Sequence, residues 1–158
     1  DFVKMTNDIR ALVMDFDGVL TDNKVIVSED GKESVMCSRD DGYALERIKE
    51  LGISTLILSR EKNNVVLERG KKLKTEVISG SRDKLAVLKE WCVANSILPL
   101  NLAYIGNDIP DVECLRYANY SFCPSDAFKS IKSEVTFVLE RKGGEGCIRE
   151  IFENYLVK

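Results

Sequence analysis

The apolar run Ala11-Leu12-Val13-Met14, followed at once by Asp15-Phe16-Asp17-Gly18-Val19-Leu20-Thr21-Asp22, constrains the fold of this 158-residue chain more than any other stretch. A short apolar run that ends abruptly in acids reads as a buried strand delivering carboxylates to its C-terminal edge. Alternation along a strand turns Asp15 and Asp17 to the same face, and Gly18 lets the chain turn sharply just beyond them. Two carboxylates in a buried place carry a large cost unless they are paired. A divalent cation would resolve that conflict and give the pair a task.

The chain contains no histidine. Ser-His-Asp and Cys-His systems are therefore excluded, as is any zinc site built on imidazole. Catalysis, if present, falls to carboxylates, Lys, Arg, hydroxyls and a metal. The length predicts one domain with a sizeable core. A net charge of −3 with no basic run argues against nucleic acid or an anionic membrane as partner. No apolar stretch approaches the roughly 18 residues of a membrane span. Five scattered cysteines without a Cys-x-x-Cys pair fit reduced thiols and a cytoplasmic setting. The first residue is Asp1 rather than Met, which leaves open a trimmed chain or a piece of a longer polypeptide.

Elements alternate along the chain. Strands are predicted over Ile9–Asp15, Ile53–Leu58, Thr75–Ile78, Leu102–Ile105, Tyr120–Cys123 and Val135–Val138. Lys24–Val27 and Glu33–Met36 read as a hairpin with Asp30-Gly31 in its turn. Helices are predicted over Gly42–Leu51 (closed by Gly52), Glu61–Leu73, Arg82–Asn95, Asp111–Tyr117 and Gly146–Leu156. This order implies an α/β fold, a Rossmann-like parallel sheet with helices on both faces and a small hairpin flap. Ligands of such sheets sit beyond the strand C-termini. Four polar clusters fall at that edge: Asp15/Asp17, Ser59/Arg60, Lys84, and Asn107/Asp108/Asp111.

With these clusters in this order, the chain resembles the haloacid dehalogenase superfamily of phosphohydrolases. The specific element is Asp15-x-Asp17-Gly18-Val19-x-Thr21-Asp22. Ser59 matches the second motif of that family, Lys84 the third, and Gly106-Asn107-Asp108-Ile109-Pro110-Asp111 the acidic fourth. The hairpin, Arg39-Asp40-Asp41-Gly42-Tyr43, Tyr104-Ile105-Gly106 and the stretch from Lys142 to Glu150 point to the small capless branch. That branch holds 3-deoxy-manno-octulosonate 8-phosphate phosphatases, sialic-acid-type 9-phosphate phosphatases and the C-terminal domain of acylneuraminate cytidylyltransferases. Lys74–Val77, Asp83–Ala86 and Gly106–Asp108 lean toward the last group and so toward a nine-carbon sugar. About 38 residues separate Asp22 from Arg60 and about 24 separate Arg60 from Lys84. Neither interval holds a lid domain of roughly 50 residues or more.

The resemblance implies roles for particular residues. Asp15 is the nucleophile, Asp17 the acid and base, and Lys84 supplies charge to the phosphate and to Asp15. Ser59 bonds a phosphate oxygen. Mg2+ is held by Asp15, the Asp17 carbonyl and Asn107 or Asp108, with Asp111 supporting Lys84 or metal-bound water. Arg60 or Arg149 meets a substrate carboxylate, and Asp41 either caps the helix after it or touches substrate. The substrate is a sugar phosphate, and the site is completed by neighbours in a homotetramer through the hairpin and a flexible Gly-Gly-Glu-Gly tail over about 142–158. Relatives commonly carry Asp at the position of Asn107, and an amide lacks that charge. The alternative reading is a non-catalytic oligomerisation domain of a cytidylyltransferase.

Overall fold

The structure, a computed structural model, describes residues 8–156; Asp1 and the last two residues of the tail lie outside them. Strand β1 (Ala11–Met14) leads to a hairpin of β2 (Ile26–Val27) and β3 (Glu33–Ser34) that stands apart from the main sheet. Then follow α1 (Arg39–Glu50), β4 (Ser54–Leu58), α2 (Asn64–Leu73), β5 (Glu76–Ile78), α3 (Lys84–Ala94) and β6 (Leu102–Ile105). The chain continues with α4 (Val112–Tyr117), β7 (Tyr120–Cys123), α5 (Lys129–Lys132), β8 (Phe137–Val138) and α6 (Cys147–Ile151), and ends in a wide turn over Phe152–Leu156. Six strands pair in parallel in the order β5-β4-β1-β6-β7-β8.

Every residue of β1 is buried, which is why its sequence is a continuous apolar run rather than an alternation. Leu12 and Met14 pack with Leu45 and Ile48 of α1 and Ile148 of α6. Ala11 and Val13 face Leu88 and Trp91 of α3 and Leu115 of α4. Helices thus cover both faces, and each fully buried Leu or Met contributes roughly 1.5–3 kcal/mol of transfer free energy. Successive strands add on one side of β1 through β4 and on the other through β6. The crevice beyond β1 and β6 is therefore the switch point of the sheet, where such folds open toward ligands. Between Asp22 and Arg60 there is only the hairpin, α1 and β4, and no lid domain. Among the described residues no helix is long and apolar enough to cross a membrane.

The expected elements are present, with ends reset by caps. Asn63 caps α2, its side chain accepting from Val65 N–H, so the helix starts at Asn64 rather than Glu61. Asp83 caps α3 in the same way through Ala86 N–H and trims it to Lys84. The predicted closing helix holds regular geometry only to Ile151. The short α5 carries no periodic signal long enough to read. Four of the five cysteines are buried and all are free thiols.

Asp41 corrects an expectation. Ser38 caps α1, accepting from Asp40 N–H at 3.1 Å. Asp41 lies inside the helix and is buried. Its Oδ1 accepts the N–H groups of Ile148 at 2.9 Å and Arg149 at 3.2 Å, tying α1 to the start of α6. Burial pushes its carboxyl up to about 6, against the lowering effect of those two donors. Its Oδ2 has no hydrogen-bond partner. An acid raised in the folded state contributes stability below its unfolded value and loses that contribution as pH rises through the folded value. Asp41→Asn removes this titration. Its stability relative to wild type is expected to rise between about pH 4 and pH 6.5, read as urea midpoints. A difference that stays flat over this range would contradict the assignment.

Candidate active site

β1 and β6 end side by side, and Asp15 N–H still donates to the Ile105 carbonyl at 3.0 Å. The chain then wraps on itself. The N–H groups of Val19, Leu20 and Thr21 all donate to the Phe16 carbonyl at 2.9 to 3.3 Å. Thr21 Oγ1 accepts from Gly18 N–H at 3.2 Å and from Asn23 N–H at 3.1 Å. Gly18 has φ +82°, and a Cβ there would overlap the Asn107 amide; a glycine is required on both counts. From the other side, Gly144 N–H donates to the Val19 carbonyl at 3.0 Å, and a Cβ on Gly143 would overlap the Gly18 carbonyl oxygen. The glycines expected to form a flexible tail instead brace the loop that carries Asp15 and Asp17.

Lys84, the first residue of α3, is buried between two acids. Its Nζ lies 3.2 Å from Asp15 Oδ1 and 2.8 Å from Asp111 Oδ1. Asp111 is fully buried. Its Oδ1 also accepts from the Tyr104 hydroxyl at 2.6 Å, and its Oδ2 accepts from Asn107 N–H at 3.1 Å and Asp108 N–H at 3.4 Å. Burial works against the Lys84 ammonium, but Asp15 and Asp111 outweigh it and push its pKa up to about 12. Burial, then repulsion from Asp111, hold the Asp15 carboxyl well above its ordinary value despite Lys84. Burial and the charge of Asp111 raise the Tyr104 phenol, which stays a donor.

A third group of atoms faces Asp15 from the β6 side. One end of the Asn107 amide lies 3.0 Å from Asp15 Oδ2 and 3.1 Å from the Asp17 carbonyl oxygen. With its NH2 turned inward the amide donates to both. With its oxygen inward, that oxygen stands from each of the other two at the spacing of adjacent ligands on an octahedral cation, about 3.0 Å for bonds of about 2.1 Å. The donor set is hard and suits Mg2+ better than a soft metal. Among the described residues no three His, Cys, Asp or Glu side chains converge on a metal position; this cradle differs in using one carboxylate, one backbone carbonyl and one amide.

Asp15, Asp17, Lys84, Asn107 and Asp108 line one cleft of about 360 Å3 with Arg60 at its edge. No family model matches the chain. It is similar to the 3-deoxy-D-manno-octulosonate 8-phosphate phosphatase of Escherichia coli K12, with 27% identity over 158 residues, 99% of this chain and 84% of the relative. A HAD family hydrolase from Streptomyces avermitilis superposes with a TM-score of 0.93 at 37% identity, over 96% of this chain and 87% of that one. The octulosonate 8-phosphate phosphatase of Moraxella catarrhalis, solved with magnesium, phosphate and KDO, gives 0.91 at 28% identity, over 96% and 88%. The chain belongs to the haloacid dehalogenase superfamily. It is a phosphatase of the capless branch.

Not every residue expected at a haloacid dehalogenase site is in this cleft. Ser59 is buried at the end of β4, its N–H donating to the Ile78 carbonyl at 2.9 Å, and does not line the cleft. Asp41 and Arg149 are not brought to it within their own chain. Asp41 is held by the start of α6. Arg149 donates to Glu153 at 2.8 Å and lies over the Tyr43 ring at 4.8 Å. Asp108 Oδ1 accepts from Ile109 N–H at 2.7 Å, shaping the turn before α4. Glu33 and Glu61, which sequence reasoning missed, do line the cleft. After burial, their charges are what raise the Asp17 carboxyl. Asn63 Nδ2 donates to Glu33 Oε2 at 3.1 Å and moors the hairpin to the start of α2. Glu61 had a weak signal in its place next to Ser59-Arg60; Glu33, in an exposed strand, had none.

Removing the ammonium leaves Asp15 and Asp111 facing one another without a counter-charge. Lys84→Met is expected to destabilise the fold by about 3–5 kcal/mol. The double variant Lys84→Met/Asp111→Asn should recover part of that loss. Urea unfolding of the three proteins at neutral pH measures both.

Proposed function

We propose that this phosphatase hydrolyses the phosphomonoester of an ulosonate through a phospho-Asp15 intermediate, with Mg2+ as cofactor. The observation that carries the reading is the two-sided hold on Asp15. Lys84 and Phe16 N–H, the latter at 2.8 Å, hold its Oδ1, while its Oδ2 faces the oxygen cradle of Asp17 and Asn107. Both carboxylate oxygens are fixed, so one lone pair can be aimed in line at phosphorus.

An oxygen of Asp15 forms a bond to phosphorus as the ester P–O bond breaks. Asp17, its carboxyl raised by burial and by Glu61 and Glu33, gives its proton to the leaving sugar oxygen. Asp17 then takes a proton from water; the resulting oxygen attacks phosphorus, and the Asp15–phosphorus bond breaks to release phosphate. Lys84 balances charge on the phosphoryl oxygens throughout. Asp15, the Asp17 carbonyl and Asn107 would hold Mg2+, with Asp108 close by. When bound, the cation supplies further charge neutralisation on phosphorus-bound oxygens. The magnesium in the Moraxella relative supports this cofactor.

The relatives named for octulosonate 8-phosphate support the eight-carbon ester as the first candidate, ahead of the nine-carbon sugar toward which several sequence stretches lean. Arg60 at the cleft edge is the cation available to the sugar carboxylate. Ser59 stays a candidate phosphate contact from the end of β4. Val25, Ile26, Val27 and Met36 expose apolar surface on and beside the hairpin. This supports a homotetramer in which hairpins are covered by neighbours. The free, mostly buried thiols suit a cytoplasmic enzyme. The alternative, a non-catalytic oligomerisation domain, draws on Asn107, which leaves the cation cradle one negative charge short.

Phosphate release from a panel holding octulosonate 8-phosphate and nonulosonate 9-phosphates tests the reading. The expected result is Mg2+-dependent release abolished in Asp15→Asn; no release from any ester by folded, magnesium-supplied protein would favour the non-catalytic module. Asn107→Asp adds the missing charge. It is expected to tighten Mg2+ binding by roughly tenfold, measured by calorimetry. Equal affinity would remove Asn107 from the cation site.

A further inference from the structure

The network behind Lys84 contains a side chain with no assigned task. Tyr104 comes from β6, is wholly buried, and does not line the cleft. Its hydroxyl reaches Asp111 Oδ1 at 2.6 Å, the same oxygen that Lys84 approaches at 2.8 Å. Lys84 in turn lies 3.2 Å from Asp15 Oδ1. Both oxygens of Asp111 carry two donors each: Lys84 and Tyr104 on Oδ1, the N–H groups of Asn107 and Asp108 on Oδ2. The two backbone donors are fixed by the turn before α4. Lys84 is the one partner shared between Asp111 and Asp15.

We infer that Tyr104 is a positioning residue that sets how Lys84 is divided between these two acids, an inference that rests on the phosphatase reading for its kinetic consequence. A phenol donating to a carboxylate takes one lone pair and draws off part of its charge. With that bond in place, Asp111 orients Lys84 without capturing it, and the ammonium remains in reach of Asp15 and of a phosphoryl group in the cleft. Without the hydroxyl, Oδ1 keeps Lys84 as its sole donor. A buried carboxylate short of one hydrogen bond attracts its remaining cation more strongly. Lys84 then shifts toward Asp111 and away from Asp15. The loss falls on the step in which charge builds on the phosphoryl oxygens, and less on binding of the ester.

Tyr104→Phe tests this, with Tyr120→Phe as the control. Tyr120 is also buried, lies on the adjacent strand β7, and its hydroxyl has no contact with this network. In the magnesium-loaded enzyme, Tyr104→Phe is expected to lower kcat about tenfold with KM changed less than about twofold, while Tyr120→Phe leaves both unchanged. A crystal structure of Tyr104→Phe should show the Lys84–Asp15 separation lengthened and Lys84–Asp111 retained. An unchanged kcat in an active preparation, or an equal fall in both variants, overturns the inference. If the wild type releases no phosphate, the phosphatase reading fails, and the crystal structure alone decides the inference: an unmoved Lys84 refutes the role of Tyr104 and a displaced one upholds it.

Discussion

One ammonium held between a fully buried carboxylate and a partly buried one at the cleft organises this molecule. Lys84 lies at the first turn of α3, Asp15 at the end of β1 and Asp111 beyond β6, so a single ion-paired group joins three elements at the switch point of the sheet. Such an arrangement is a weak source of net stability, because desolvating three charges offsets most of their attraction. Its value is geometric. No partner can leave without leaving an uncompensated charge beside the buried Asp111 and Lys84, so the relative positions of Asp15, Lys84 and Asp111 are over-determined. The glycines follow from the same crowding: Gly18 lets the Asn107 amide approach Asp15, and Gly143 lets the distal chain press on the loop that carries the acids.

Much of this was readable from residue order, and the reasons differ from element to element. β1 was legible because burial on both faces demands an uninterrupted apolar run. The four polar clusters were legible because all sit where a strand or helix ends, and parallel sheets collect those ends at one edge. Asp41 was misread because its partner lies more than a hundred positions away: Ile148 N–H is contributed by α6, and no local pattern announces such a pairing. The stacking of Arg149 on Tyr43 was illegible for a related reason, since it depends on how α1 and α6 pack. The Gly143–Gly144 stretch carried the composition of a flexible joint, yet close backbone approach calls for the same residues. Glu33 had no sequence signal at all, because a carboxylate in a hairpin looks like any solvated charge until the hairpin folds over the cleft.

The acidic rim raises an apparent conflict. Glu33 and Glu61 face the cleft proposed to take an anionic phosphate, and like charges oppose binding. Yet the same two side chains hold the Asp17 carboxyl above its ordinary value, and an acid that must protonate an alkoxide near neutral pH needs that elevation. In the proposed reaction, charge around the phosphoryl group is set by Lys84 and by the cation that Asp15, the Asp17 carbonyl and Asn107 would hold. In the proposed reaction Glu33 and Glu61 are also acceptors for the hydroxyls of a sugar. One cleft thus joins Lys84, a cation suited to phosphate, with two carboxylates suited to hydroxyl donors.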